Sequence, residues 1–167
     1  MAIVQRNYIP TLSERLESGG LAQIVSLKGG SRTWFALSCL GHFLDTHTGD
    51  PPLSLWLSNE GELYPEAIQQ YWNIPLSRML LIRAPSTEEV WRTALDAVQT
   101  GLFAWIFLKT ERSGQSAQMR KLQLAAEKTK TRILILCQAR IPHWNLKASI
   151  QVTPEIADSH AHPLLKK

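Results

Sequence analysis

The chain has 167 residues, 44% of them hydrophobic, enough for one domain with a substantial core. No apolar run approaches the roughly 20 residues that span a bilayer, and Met1 to Arg6 lack the apolar core of a secretory signal, so a cytoplasmic protein with no membrane role is expected. The formal net charge of +4 is uneven: residues 1–100 carry 7 Lys/Arg against 10 Asp/Glu, and residues 101–167 carry 11 against 4. The basic second half implies either an anionic partner or a solvated basic helix.

In chain order, Thr11 with Glu14 three residues on reads as a capping box for a short helix, in which Leu12 and Leu16 face inward. Gly19 and Gly20 end it. Leu21–Leu27 reads as a first strand. Lys28 to Thr33 reads as a tight turn, followed by a helix to about Asp45 with Ala36, Cys39, Leu40 and Phe43 on its inner face. Residues 47–52 read as a turn, Leu53–Leu57 as a strand, and Pro65 to Trp72 as a helix. Met79–Ile82 is a further strand, too apolar for an exposed edge. Ser86 and Glu89 open a helix with Val90, Ala94 and Val98 on one stripe, and Gly101 ends it. Phe103–Leu108 and Ile133–Cys137 are apolar on both faces, as central parallel strands are. Between them lie a polar loop, Lys109–Gln115, and a helix, Ala117–Thr129, with Met119, Leu122 and Ala126 inward. Trp144–Val152 is expected to be an edge strand. The domain is expected to span 1–152, with a flexible tail at 153–167. Cys39 and Cys137 read as buried thiols of a reducing compartment. The regular alternation predicts a three-layer α/β domain with a mostly parallel sheet.

Strand, Gly-rich turn and helix around Gly29, Gly30, Ser31, Arg32 and Thr33 are the parts of a phosphate-binding loop. The full pattern G-x-x-x-x-G-K-[ST] is absent. With Thr33 on its last position, Arg32 replaces the lysine, and Ser31 and Ser26 replace the two glycines. Arg32 reads either as a phosphate-holding arginine or as a surface arginine at a helix start. Thr33 reads as an N-cap rather than a magnesium ligand. The histidines show no ligand spacing, no metal site is expected, and Gly-x-Ser-x-Gly is absent.

Taken together, these pieces resemble the RecA-like (P-loop NTPase-like) ATPase core over roughly residues 9–140. Ser31-Arg32-Thr33 looks like a degenerate nucleotide loop, and Trp56 to Glu60 with Leu63-Tyr64-Pro65 is similar to the family's second strand and acidic loop. Within that superfamily the chain resembles short proteins without a working ATPase. Met119 to Glu127, Leu80 to Ala84 and Glu89 to Leu95 look like ImuA, an accessory factor of a translesion mutagenesis cassette. The runner-up is SulA, the SOS division inhibitor. The resemblance implies a catalytically inert, cofactor-free accessory protein of the SOS response. Its implied partner is the recombinase RecA or an error-prone polymerase subunit, or else the division protein FtsZ. A weak ATPase is the third reading. Glu60 falls where the family carries its water-activating glutamate, although without a metal it reads as a helix-start residue. Where an Asp should reach magnesium, the strand ends in Lys109.

Lys109, Arg112, Arg120, Lys121, Lys128, Lys130 and Arg132 fall in one loop–helix–strand unit with two acids, Glu111 and Glu127. With Arg140 and Trp144 in the next loop, this basic face suits single-stranded DNA or a protein partner. A second copy of the chain is a further candidate partner. Trp56 and Trp105 read as core, while Trp34, Trp72, Trp91 and Trp144 include a candidate interface anchor.

Overall fold

A computed structural model of the chain describes residues 2–3, 8–25, 29–61, 63–112, 114–138 and 146–151. The elements are β1 (Ala2–Ile3), α1 (Tyr8–Arg15), β2 (Gly20–Val25), α2 (Gly29–Thr46), β3 (Leu53–Ser58), α3 (Pro65–Trp72), a 3-10 turn (Leu76–Arg78), β4 (Met79–Arg83), α4 (Thr87–Thr100), β5 (Phe103–Lys109), α5 (Ser116–Thr129), β6 (Arg132–Cys137) and β7 (Ala148–Gln151). They form one sheet in the order β1-β7-β2-β6-β5-β3-β4, with every pairing parallel. This is the expected three-layer α/β architecture with a parallel sheet.

Alternation along the central strands sorts side chains to the two faces. Trp105 and Phe107 of β5 and Leu134 and Leu136 of β6 join the core under α1, α2 and α3. Ile106, Leu108, Ile133 and Ile135 join the core under α4 and α5. A strand covered on both faces has no place for alternating polar residues, which is why β5 and β6 read as unbroken apolar runs. Trp56 stacks on Phe107 at 5.4 Å, filling the first layer. Trp91 is also buried, and Trp34 and Trp72 pack against the core, so three of the proposed anchors serve packing. Trp144 lies outside the described residues.

The helix ends follow local chemistry where the sequence is explicit. Ser86 Oγ accepts from Glu89 N–H at 3.2 Å, and Gly101 ends α4 at φ 67°. Elsewhere the structure corrects the expectation. α1 starts at Tyr8, so Thr11 lies within the helix and does not cap it, while Pro10 sits in the first turn, where its missing N–H is tolerated. α2 begins at Gly29, so Gly29 to Thr33 are helical rather than a turn, and Thr33 is not its N-cap.

Two strand expectations also change. β4 is an edge strand, with Leu80 48% and Leu81 37% exposed. β7 is flanked by β1 and β2 and is not an edge. Residues 144, 145 and 152 of the expected last strand, and the tail 153–167, lie outside the described residues. Among the described residues no helix is long and apolar enough to cross a membrane.

Candidate functional site at the carboxyl ends of the strands

In parallel sheets, ligands gather outside the carboxyl ends of strands, where neighbouring connections leave toward opposite faces. The chain leaves β3 toward α3 on one face and β5 toward α5 on the other, and β3 pairs with β5. Ser58 pairs in register with Lys109, so Glu60, Lys109 and Thr110 all fall at this boundary.

Arg32, in the first turns of α2, is 1% exposed. The surface-arginine reading therefore fails: burial follows from the helix starting at Gly29, which turns position 32 inward. Its Nη2 stands 3.9 Å from Glu60 Oε1, an ion pair too long for a hydrogen bond. Its Nε and Nη1 have no hydrogen-bond partner among the described residues, and neither has Glu60 Oε1. Glu60 thus turns toward α2 rather than supporting the start of α3, whose first turn carries Glu66 instead. Ser58 Oγ donates to the Glu60 carbonyl and accepts from Glu60 N–H at 3.0 Å, which fixes the loop.

Lys109 is the last residue of β5, half-buried, where the sequence comparison asked for a metal-binding Asp. A methyl group added at Gly61 would stand 2.7 Å from Lys109 Nζ, so the ammonium lies over the Glu60–Gly61 turn. Gly61 has φ +65°, a conformation that favours glycine. The turn that carries the acid of this site therefore has the Arg32 guanidinium 3.9 Å from Glu60 Oε1 and the Lys109 ammonium over Gly61.

Sequence reasoning missed a second part of this rim. Thr110 is fully buried, and its Oγ1 donates to Arg112 O at 3.1 Å and stands 3.4 Å from Thr87 Oγ1. Asn59 Nδ2 donates to the same Thr87 oxygen at 3.0 Å. This chain ties the ends of β3 and β5 to the start of α4. Polar residues directly after apolar strands were the available signal. Beside it, a cleft of about 520 Å³ is lined by Thr87, Glu88, Trp91, Glu111, Arg112 and Gln118, among others.

The proposed basic face is not one patch. Arg112, Arg120, Lys121, Lys128 and Lys130 are exposed. α5 runs back along the sheet, so Arg120 and Lys128 stand about 12 Å apart along the helix axis. Lys130 lies beyond the last turn in a left-handed cap, φ 58°, at the opposite end of the sheet from Lys109. Arg132 turns away altogether, its guanidinium 4.7 Å from the Phe43 ring centre. Lys121 shares a groove with Glu88 and Glu89 of α4, acids that the local count left out because they arrive through tertiary packing. Arg140, His143 and Trp144 lie outside the described residues. Among the described residues no cluster of three metal-ligating side chains occurs. Cys39 and Cys137 are buried thiols in no disulfide among the described residues, and burial pushes the Cys39 thiol pKa far up.

No protein-family model matches the chain, and no curated protein sequence matches it. Among solved structures, the crystal structure of SulA from Pseudomonas aeruginosa is similar, with a TM-score of 0.52 and 16% identity. The match covers 71% of this chain and 98% of SulA. At that identity the likeness speaks to fold, and the chain has a SulA-like fold.

Proposed function

We propose that the chain is a catalytically inert, cytoplasmic partner-binding module of the bacterial DNA-damage response. The observation that carries this is the charge at the strand ends. Phosphoryl chemistry needs a cation held against the phosphates and a base or water-positioning residue free to act. Here Lys109 occupies the position of a cation-binding acid and repels a metal, while Glu60 faces Arg32 at 3.9 Å. A purified chain is expected to show no magnesium-dependent ATP turnover. Turnover that disappears in Glu60→Gln would overturn the inert reading in favour of a weak ATPase.

The ImuA-like role is the first reading, resting on the Met119–Glu127 resemblance. That segment is α5, whose outer side exposes Arg120, Lys121 and Leu124. The partner is then the recombinase or an error-prone polymerase subunit, with single-stranded DNA as a further ligand. The similarity to SulA supports a second reading, a division inhibitor that binds the tubulin-like division protein. Capture from damaged cells separates them. Recovery of recombinase or polymerase supports the first, and recovery of the division protein alone supports the second. DNA binding, where present, weakens steeply with salt, and Arg120→Glu/Lys128→Glu lowers that slope. No binding at low salt removes DNA from the list of ligands.

A further inference from the structure

The cleft of about 520 Å³ beside the strand ends carries charges of both signs that no neighbour uses. Glu88, Glu111 and Arg112 line it, all three are exposed, and none has an ion-pair partner among the described residues. Its volume is that of a ligand site. Trp91 also lines it, 3% exposed, and the Trp91 Nε1–H has no acceptor among the described residues. Gly114 lies against this indole, where an added methyl group would stand 2.8 Å from the ring. A buried donor left unmatched costs free energy, so Trp91 favours an occupant that brings an acceptor.

Two helices begin at this cleft, and they differ. α4 has Glu88 and Glu89 in its first turn, which already oppose its positive end, and Glu89 is itself paired with Arg92 at 2.6 Å. α5 has no acid in its first turn. Gln115 N–H is taken by Gln118 Oε1 at 3.0 Å, but the N–H groups of Ser116 and Ala117 have no acceptor within the helix. The start of α5, the Arg112 guanidinium and the Trp91 N–H together suit an anion.

The remaining charge says which anion. One arginine against two glutamates leaves the charged lining net negative. That disfavours a phosphate dianion or a nucleic-acid backbone, and it suits a single carboxylate with a cation close behind it. The hollow also continues. A second space of about 260 Å³ shares Glu88, Trp91 and Gln118 with the first and runs between α4 and α5 to Leu95 and Lys121. A compact metabolite would leave this extension empty, whereas the end of a chain fills it.

We propose that this cleft takes the carboxyl terminus of a partner protein whose last residue is lysine or arginine. The terminal carboxylate lies on the start of α5, against Arg112 and the Trp91 N–H. The basic side chain lies between Glu88 and Glu111, and the preceding residues follow the α4–α5 seam. Capture of a terminal carboxylate by backbone N–H groups is a recurring mode of peptide recognition. The inference rests on the partner-binding reading above and adds the chemistry of the partner.

Titration calorimetry of the purified full chain with a short acetylated polyalanine peptide ending in lysine, its terminus free, is expected to show saturable binding. Amidating that terminus is expected to weaken binding about tenfold or more, because the charge-assisted bonds are lost. Replacing the terminal lysine by glutamine is expected to weaken it less. Arg112→Gln is expected to match the effect of amidation. Trp91→Phe keeps an aromatic ring and removes the N–H, so it is expected to weaken binding although the free chain loses no hydrogen bond. Should Trp91→Phe fold poorly, Arg112→Gln, at an exposed position, decides alone. No binding of the free-terminus peptide, equal binding of its amide, or binding unchanged in Arg112→Gln would each overturn the proposal. Binding of single-stranded DNA that Arg112→Gln abolishes, with the peptide inert, would assign the cleft to nucleic acid instead. A chain that captures a protein from damaged cells yet ignores the peptide would overturn this proposal alone and leave the partner-binding reading standing.

Discussion

Two arginines sit at opposite ends of the same sheet and are treated differently. Arg132 opens β6 at the amino ends of the strands. Its guanidinium lies 4.7 Å from the Phe43 ring centre and 5.6 Å from that of Trp105. Partial burial lowers its pKa, opposed by the Glu17 carboxylate. Arg32 lies at the carboxyl ends, more deeply buried, against one carboxylate at 3.9 Å and with two nitrogens unmatched among the described residues. Aromatic faces accept a cation without needing hydrogen-bond geometry, so Arg132 serves as packing. Arg32 keeps two buried donors, Nε and Nη1, that no described neighbour uses, against one, Nε, in Arg132. The carboxyl end of the sheet therefore retains more capacity for an acceptor than the amino end.

The largest expected effect calibrates both. Ile106 is fully buried between β3 and β6, with neither acid nor aromatic face arranged for a charge. Ile106→Asp is expected to cost several kcal/mol and abolish soluble folded protein in expression trials, and a stable variant would show the interior to be wet. Arg132→Met comes next. Losing the two ring contacts is expected to destabilise by about 1–2 kcal/mol in denaturant titration, and no change would mean that the rings merely tolerate the cation.

α2 connects the two ends, carrying Arg32 near its start and Phe43 near its finish, and Cys39 between them reports on its burial. Burial raises the Cys39 pKa, so the folded state favours the protonated thiol. Its contribution is complete below the unfolded thiol's pKa of about 8.5 and is lost as pH rises above it. Between pH 9 and 10 the loss approaches about 1.4 kcal/mol, and Cys39→Ala is expected to lack that slope. The smallest effect separates the arginines most sharply. Replacing both partners of a poorly matched buried ion pair by apolar side chains is often neutral or stabilising, whereas removing one leaves the other charge uncompensated. The double variant Arg32→Met/Glu60→Leu is therefore expected to shift stability by less than about 1 kcal/mol. A loss as large as that of Arg132→Met would erase the distinction.

How much was legible depended on whether the signal was local. Ser86, Glu89 and Gly101 fix α4 through bonds within a few residues, and the sequence places that helix to within a residue. β4 and β5 both read as apolar runs, yet one is an edge and the other lies between β6 and β3. Period and composition report how greasy a strand is and carry no information on its neighbours. Arg32 was misread for a related reason. Two glycines suggest a turn, but glycine tolerates helix at a cost of about 1 kcal/mol, and packing of Phe35, Ala36 and Leu37 outweighs it. The acids facing Lys121 come from another helix, out of reach of any count along the chain.

The pairing of β2 with β6 has a consequence for synthesis. Gly20 is in register with Arg132, on the order of a hundred residues later. At roughly 5–20 residues per second, β2 waits about 5–20 s for this neighbour to be made. During that interval Leu21, Ala22 and Ile24, all fully buried in the finished domain, have no β6 beside them. The ribosome therefore holds a nascent chain whose first long strand is open to chaperones, and truncation anywhere before β6 leaves that state permanent.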